Sequence, residues 1–298
     1  MFILKTIPYF TAMKHVIAGI LFLAVFSLQA QNFFSWQYND RYYSLIAGTG
    51  MTTYFGELNE DRTLRRKLSN LSLGVEARLL SRLGARAELI YYTLQEDDQN
   101  AADSTFERQR NLSFRSRNVE GSLQAIFYLK KYRGDYFRRW SFDPYMGIGI
   151  AATTFQPTAV LDSVRYNLRE FETEGSSYGT IAFALPLTFG IKFRFNEFVN
   201  LNAEVSYRYT LTDYLDDVST VFREDDGSVS ARLSNRRTET EIEGEPSVIN
   251  QEFFDQMVPG ARRGDPGTND SYLFISFRVE IFLPRKNGGP VLSKPSAY

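Results

Sequence analysis

The 298-residue chain carries a single histidine, His15, and no cysteine. Histidine is the side chain that titrates unperturbed near neutral pH, and thiolates act as nucleophiles and soft-metal ligands. Without them, His-assisted serine chemistry, thiol chemistry and ordinary zinc sites have no residues to work with. Oxygen and guanidinium chemistry remains. Asp216, Asp217, Glu224, Asp225 and Asp226 cluster late in the chain and could take Ca²⁺ through oxygen ligands. Their spacing matches no calcium motif, and a solvated acidic loop has the same composition. No stretch reads as a phosphate-cradling glycine loop, and the formal net charge of -1 gives no reason to expect nucleic acid. No cofactor and no small-molecule substrate is implied.

A second set of charges recurs at alternate positions within otherwise apolar stretches. It comprises Glu76, Arg78, Arg86, Glu88, Glu120, Lys192, Arg194, Glu204, Arg208, Arg278 and Glu280. In "DSYLFISFRVEIFL" (270–283), Leu273, Ile275, Phe277, Val279, Ile281 and Leu283 alternate with Phe274, Ser276, Arg278, Glu280 and Phe282. Strict alternation is the signature of a strand with two different faces. A water-soluble sandwich would turn the apolar face inward, whereas a transmembrane barrel turns it toward lipid and the polar face toward the lumen. A third set interleaves cations and aromatics in "KKYRGDYFRRWSF": Lys130, Lys131, Arg133, Arg138 and Arg139 with Tyr132, Tyr136, Phe137 and Trp140. Arg and aromatic residues are enriched in protein interfaces. The same mixture also suits an anchor at lipid headgroups.

The elements that must position these charges decide between the two β architectures. Alternating or Gly-rich strand patterns cover 42–56, 71–80, 84–94, 118–129, 144–155, 183–195, 199–211 and 270–283. Eight strands of roughly 10 to 14 residues fit tilted membrane strands better than the five or six usual in soluble proteins. The connections near 80–84, 130–142 and 196–198 are short, and those near 57–69, 96–112, 157–178 and 213–270 are long, polar and charge-rich. Short and long connections strictly alternate, as they do between the periplasmic turns and external loops of an outer-membrane barrel. A sandwich has no reason to produce that order. The expected fold is therefore all-β, an eight-stranded antiparallel transmembrane β-barrel in the outer membrane. The charges face its lumen and pair there, because an unpaired buried charge is costly. Such a lumen is filled by side chains rather than open to diffusion.

The N-terminus agrees with export. Lys14 precedes an apolar run from Val16 to Phe26, followed by Ala30-Gln31, so residues 1–30 read as a signal peptide cleaved after Ala30 and residues 31–298 as the barrel. Residues 1–12 precede a complete signal, as an upstream start before Met13 would. The apolar run is shorter than the ~20 residues a helix needs to span a bilayer, and lipid attachment lacks its cysteine. Aromatics, at 15% with 25 Phe and 18 Tyr, suit membrane-interface girdles. Small outer-membrane barrels that act as lipid A acyltransferases, deacylases or omptin-like proteases rely on a catalytic histidine. Here the one histidine lies in the signal, which leaves only a carboxylate-dependent enzyme as a catalytic option.

Four stretches together resemble a Bacteroidota outer-membrane barrel family. "GTGMTTYFGELN" (48–59) resembles its first-strand motif, with Tyr54 and Gly56; "RNLSFRS" (110–116), with Asn111, Leu112, Ser113, Phe114 and Arg115, resembles its entry to the fourth strand. "FDPYMGIGI" (142–150) carries the Pro144-Tyr145 start of the fifth strand, and "RRGDPGTNDSYLF" (262–274) carries Gly264, Pro266, Asp270 and Tyr272 before the last. Glu57 stands where Asp is usual and Asp265 where Asn is usual. The family includes PorG, the outer-membrane component of the type IX secretion system. The resemblance implies a non-enzymatic scaffold that ties a periplasmic ring to the outer membrane, with outer-membrane lipid and periplasmic ring proteins as partners. On that reading, Lys130 to Trp140 form the partner-binding turn. The alternative is a surface receptor or adhesin that uses the long last loop.

Overall fold

The computed structural model describes residues 43–58, 68–101, 105–133, 138–239 and 251–283. Residues 1–30 lie outside that range, and so do Tyr136 and Phe137 of the basic turn. Ten strands follow in chain order: β1 (Tyr43–Phe55), β2 (Leu68–Arg78), β3 (Leu83–Asp97), β4 (Ser113–Tyr128), β5 (Phe142–Thr154), β6 (Thr158–Leu161), β7 (Val164–Asn167), β8 (Ile181–Arg194), β9 (Val199–Thr210) and β10 (Ser271–Phe282). Short helices α1 (Phe106–Arg110), α2 (Leu168–Phe171), α3 (Val229–Ser234) and α4 (Gln251–Gln256) lie in the long connections.

Eight of the strands close on themselves in the order β3-β2-β1-β10-β9-β8-β5-β4, with β4 pairing back onto β3 and every pair antiparallel. The eight-stranded transmembrane barrel expected from the alternation is the fold observed. Closure removes the free edges that an open sheet would expose. The β6–β7 hairpin extends the sheet above the barrel wall and touches it at Arg115 opposite Thr158. Pro186 in β8 has no N–H to donate, and the β5–β8 ladder skips two residues there before resuming in the same register at Ala151 and Ala184.

Alternation sorts the side chains by pleat. Leu71, Leu73, Leu89, Leu123, Ile148, Ile150, Phe183, Phe189 and Phe277 stand on the outer face with about half or more of their surface exposed. On a closed barrel that apolar belt is the face offered to lipid. Exposed aromatics ring both rims, Phe142, Phe193 and Phe195 where the turns are short and Tyr91, Phe183 and Tyr209 where the loops are long. None of the described helices is long and apolar enough to cross a membrane.

The inner face holds two kinds of core. Toward the short turns it is charged. Toward the long loops an apolar cluster that includes Tyr54, Tyr92, Leu112, Phe114, Tyr272 and Phe274 continues upward into loop residues Leu161, Leu168, Leu215, Val218 and Leu233. The long loops thus pack over the mouth as a cap.

Candidate functional site

Three places gather the chemistry: the lumen, the short-turn rim and the floor of the long-loop cap. In the lumen, strand parity points Glu76, Arg86, Glu88, Glu120, Lys192, Glu204, Arg208, Arg278 and Glu280 inward, and all are buried. They form a layered ion-pair network. Near the short turns, Lys192 bridges Glu76 and Glu280, the latter at 2.9 Å, and Glu280 also accepts from Ser44 at 2.8 Å and Asn200 at 3.0 Å. Arg86, directly opposite Glu76 across the β2–β3 ladder, contacts it at 2.9 Å and reaches Glu204 as well. Arg278 joins Glu88 to Glu204, the latter at 2.7 Å. Highest of the three layers, Arg208 meets Glu120 at 3.0 Å.

Tyrosines complete the carboxylates' hydrogen bonds. Tyr128 donates to Glu76, Tyr145 to Glu204 at 2.7 Å and Tyr272 to Glu120 at 2.6 Å. Tyr145 lies across Gly190 on the neighbouring strand, where a Cβ would fall 2.3 Å from its ring. Only glycine leaves room for the ring to reach Glu204 on the strand beyond. These ion pairs fill the lumen with side chains rather than leaving a path through it, with Arg208 Nη2 and Arg278 Nε left without an acceptor among the described residues.

Two of the expected lumenal cations sit elsewhere. Arg194, the last residue of β8 and still opposite Asn200 in β9, is exposed at the short-turn rim and donates to the Arg139 carbonyl at 3.2 Å. Arg78 is buried but closes the floor. It pairs with Asp143 at 3.4 Å, donates to the Ser81 and Lys130 carbonyls, and lies 3.7 Å over the Tyr128 ring. Asp143 escaped the sequence reading, although it shares inward parity with Tyr145 two residues on.

The basic turn separates into a frame and a surface. Arg139 is buried, donates to the Glu197 and Asn196 carbonyls at 2.9 Å each and packs 3.9 Å over Phe282. That use contradicts its reading as a partner-facing cation: it holds the β4–β5 turn against the β8–β9 turn. Trp140 donates to the Lys131 carbonyl at 2.9 Å, and the backbone N–H of Tyr132 donates to the Ser81 carbonyl at 2.9 Å. Lys130 is half-buried between Trp140 and Phe142. Lys131, Arg133 and Arg138 are exposed on this frame, Arg133 stacked 3.3 Å over Trp140, with Arg82 and Arg194 exposed at the same end.

The motif residues of the first and last strands meet at the other end. Tyr54 donates to Asp270, and Gly56 makes that possible, since a Cβ there would fall 1.9 Å from the Tyr54 hydroxyl. Tyr54 also meets Phe114 edge-on at 5.0 Å. Asn111 ends α1 in the left-handed region at φ 58, and Leu112 follows it into the core. Arg110 forks onto Asp98 at 2.8 and 3.0 Å and also donates to the Glu57 carbonyl at 2.9 Å and the Arg263 carbonyl at 3.2 Å, tying three connections together. Asp98, Glu174 and Arg263 were not legible as site residues. Arg263 pairs with Glu174 at 2.8 Å between two long loops that no periodicity relates. Arg115 and Pro266 are exposed, while Gly264 lets its backbone press against Ser219.

The expected acidic cluster divides. Asp216 and Asp217 are buried, whereas Glu224, Asp225 and Asp226 are exposed. Asp216 comes together instead with Glu57 and Asp270, one carboxylate oxygen of each lying within 4.8 Å of the others. Burial raises the pKa of each, and the neighbouring carboxylates raise it further; Asp213 beside them is pushed up to about 7, first by burial and then by Asp216.

Residues 21–237 match the family described as Domain of unknown function (DUF6089). No curated protein matches the chain. Among solved structures, a major outer membrane protein from Thermus thermophilus is similar at 13% identity and a TM-score of 0.37, covering 82% of this chain and 99% of that one. Ail, the attachment invasion locus protein of Yersinia pestis, is similar at 8% identity and a TM-score of 0.37, over 82% and 99%. Neisserial surface protein A is similar at 11% identity and a TM-score of 0.34, over 81% and 96%. The barrel assignment rests on the strand pairing itself.

Proposed function

The chain belongs to the DUF6089 family, and from that premise we propose that it is a non-enzymatic outer-membrane barrel that acts as a scaffold in type IX protein secretion, holding a periplasmic ring against the membrane. The observation that carries this reading is the basic platform at the short-turn end. Lys131, Arg133 and Arg138 are exposed at the two described ends of the turn, where Arg78 and Trp140 hold the Lys130 and Lys131 carbonyls and Arg139 holds the Glu197 carbonyl. Exposed cations beside aromatics, with Arg133 stacked on Trp140, suit protein docking. The other two turns at that end, residues 79–82 and 195–198, are too short to hold a partner alone. The exposed apolar belt and rim aromatics support the outer-membrane location. The resemblance of 48–59, 110–116, 142–150 and 262–274 to the PorG-containing family supports the secretion role.

Replacing Lys131, Arg133 and Arg138 together with serine should leave barrel assembly intact, while co-purification of periplasmic partners and export of type IX cargo fall. Arg139 is left in place, since its loss would loosen the turn itself. Unchanged partner recovery and export in the triple variant would overturn the reading. A second reading, a surface receptor or adhesin, is favoured by the packed cap of long loops. Deleting 224–227, the exposed tip of that cap, with the turn intact, should do little to secretion; loss of function in that deletion alone would favour the receptor.

A further inference from the structure

The floor of the long-loop cap gathers carboxylates from separate parts of the chain. Glu57 follows β1, Asp213 and Asp216 follow β9, and Asp270 precedes β10. Asp216 is 1% exposed; its Oδ1 accepts from the Val218 N–H at 2.9 Å, and its Oδ2 meets no donor among the described residues. The nearby Tyr54 hydroxyl has one proton, and Asp270 receives it. The other oxygen of Asp270 accepts from the Leu215 N–H at 2.8 Å. Glu57 repeats the pattern of Asp216, with Oε1 accepting from the Asp265 N–H at 3.1 Å and Oε2 unpartnered among the described residues. The nearest guanidinium, Arg110, is already forked onto Asp98.

Buried carboxylates with oxygens left open and like charges beside them are unfavourable unless something neutralises them. Elsewhere in this barrel that work is done by Arg and Lys, as at Glu76, Glu204 and Glu280. Here no basic side chain among the described residues reaches the open oxygens of Glu57 and Asp216, and one carboxylate oxygen of each of Glu57, Asp216 and Asp270 lies within 4.8 Å of the others. We propose that Glu57, Asp216 and Asp270, with Asp213 alongside, form a Ca²⁺ site that clips the first long loop to the last. An all-oxygen, carboxylate-rich set excludes metals that seek nitrogen or sulfur. Carboxylates drawn from separate loops suit the larger, adaptable shell of Ca²⁺ better than the strict octahedron of Mg²⁺. The site is independent of the secretion reading and stands whether or not a periplasmic partner exists.

The test uses the full-length protein, purified in detergent, stripped with chelator and titrated with CaCl₂ by calorimetry. Terbium, which occupies Ca²⁺ sites, gives a second readout, since excitation of Tyr54 should sensitise its luminescence. The wild type should bind Ca²⁺ saturably, gain thermal stability with it and light terbium. Asp216→Asn and Glu57→Gln should each weaken binding by about tenfold or more. Asp216→Asn should also be at least as heat-stable as the wild type in chelator, because it removes repulsion. Glu57→Gln, on a partly exposed residue, keeps the test alive should Asp216→Asn fail to fold. Asp226→Asn, exposed in the same long loop, should bind as the wild type does. Absence of saturable binding in the wild type, or unchanged binding in Asp216→Asn and Glu57→Gln, would overturn the site.

Discussion

Single residues in this barrel matter according to which pleat they occupy. Glu204 contacts Arg86, Arg278 and Tyr145, all buried. Replacing it with leucine takes one carboxylate from each of two buried guanidinium groups, leaving Arg86 with Glu76 and Arg278 with Glu88, and should cost about 3 kcal/mol or more of stability, read as a lowered unfolding midpoint in detergent and urea. Val205, the next residue, faces outward. Its replacement by leucine keeps an apolar group on the lipid side and should be nearly neutral in the same assay. Equal effects at the two positions would mean that the faces are reversed.

At the scale of elements, the connections are as constrained as the strands. β3 and β4 run 15 and 16 residues, longer than the alternation alone predicts, and carry the wall up to the 3-10 turn at 98–100 and to α1. Asn111 turns the chain from α1 into β4 in a conformation that β-branched residues resist. Asn111→Val should cost roughly 1–2 kcal/mol and speed proteolytic cleavage within 98–112, whereas Asn111→Gly, which keeps the left-handed turn and loses the Gln99 contact at 3.2 Å, should be cleaved more slowly than Asn111→Val. Equal protease resistance in all three would show that the turn has another support. At the opposite end Arg139 binds the β4–β5 turn to the β8–β9 turn, which is why exposed and buried cations of one basic stretch have different uses.

The whole molecule is a closed wall around an ionic interior. Closure with no free edge predicts slow unfolding, so the unheated protein should migrate faster on a gel than the boiled protein, and its circular dichroism should be β-rich in detergent. A soluble, detergent-independent monomer would contradict the fold. The filled lumen predicts no stepwise conductance in planar bilayers, because Arg86, Arg208 and Arg278 with their carboxylates occupy the path an ion would take. Steady single-channel steps would show that the network opens.

Strand alternation and connection length along the chain are enough to predict the barrel, the strand count and nearly every inward-facing charge. Period-2 alternation and the alternation of short with long connections are local facts, and a strand exposed to lipid on one face has little freedom to contradict them. They miss at Arg194, which closes β8 at the exposed rim, and at Arg139, whose burial depends on a neighbouring turn. Which charges meet depends on the closed fold. Arg86 and Glu204 are 118 residues apart, and the register of closure brings them together. The cluster of Glu57, Asp216 and Asp270 is likewise a product of the cap. Loops have no period to read, so the convergence of their carboxylates is settled by packing over the mouth and not by any spacing along the chain.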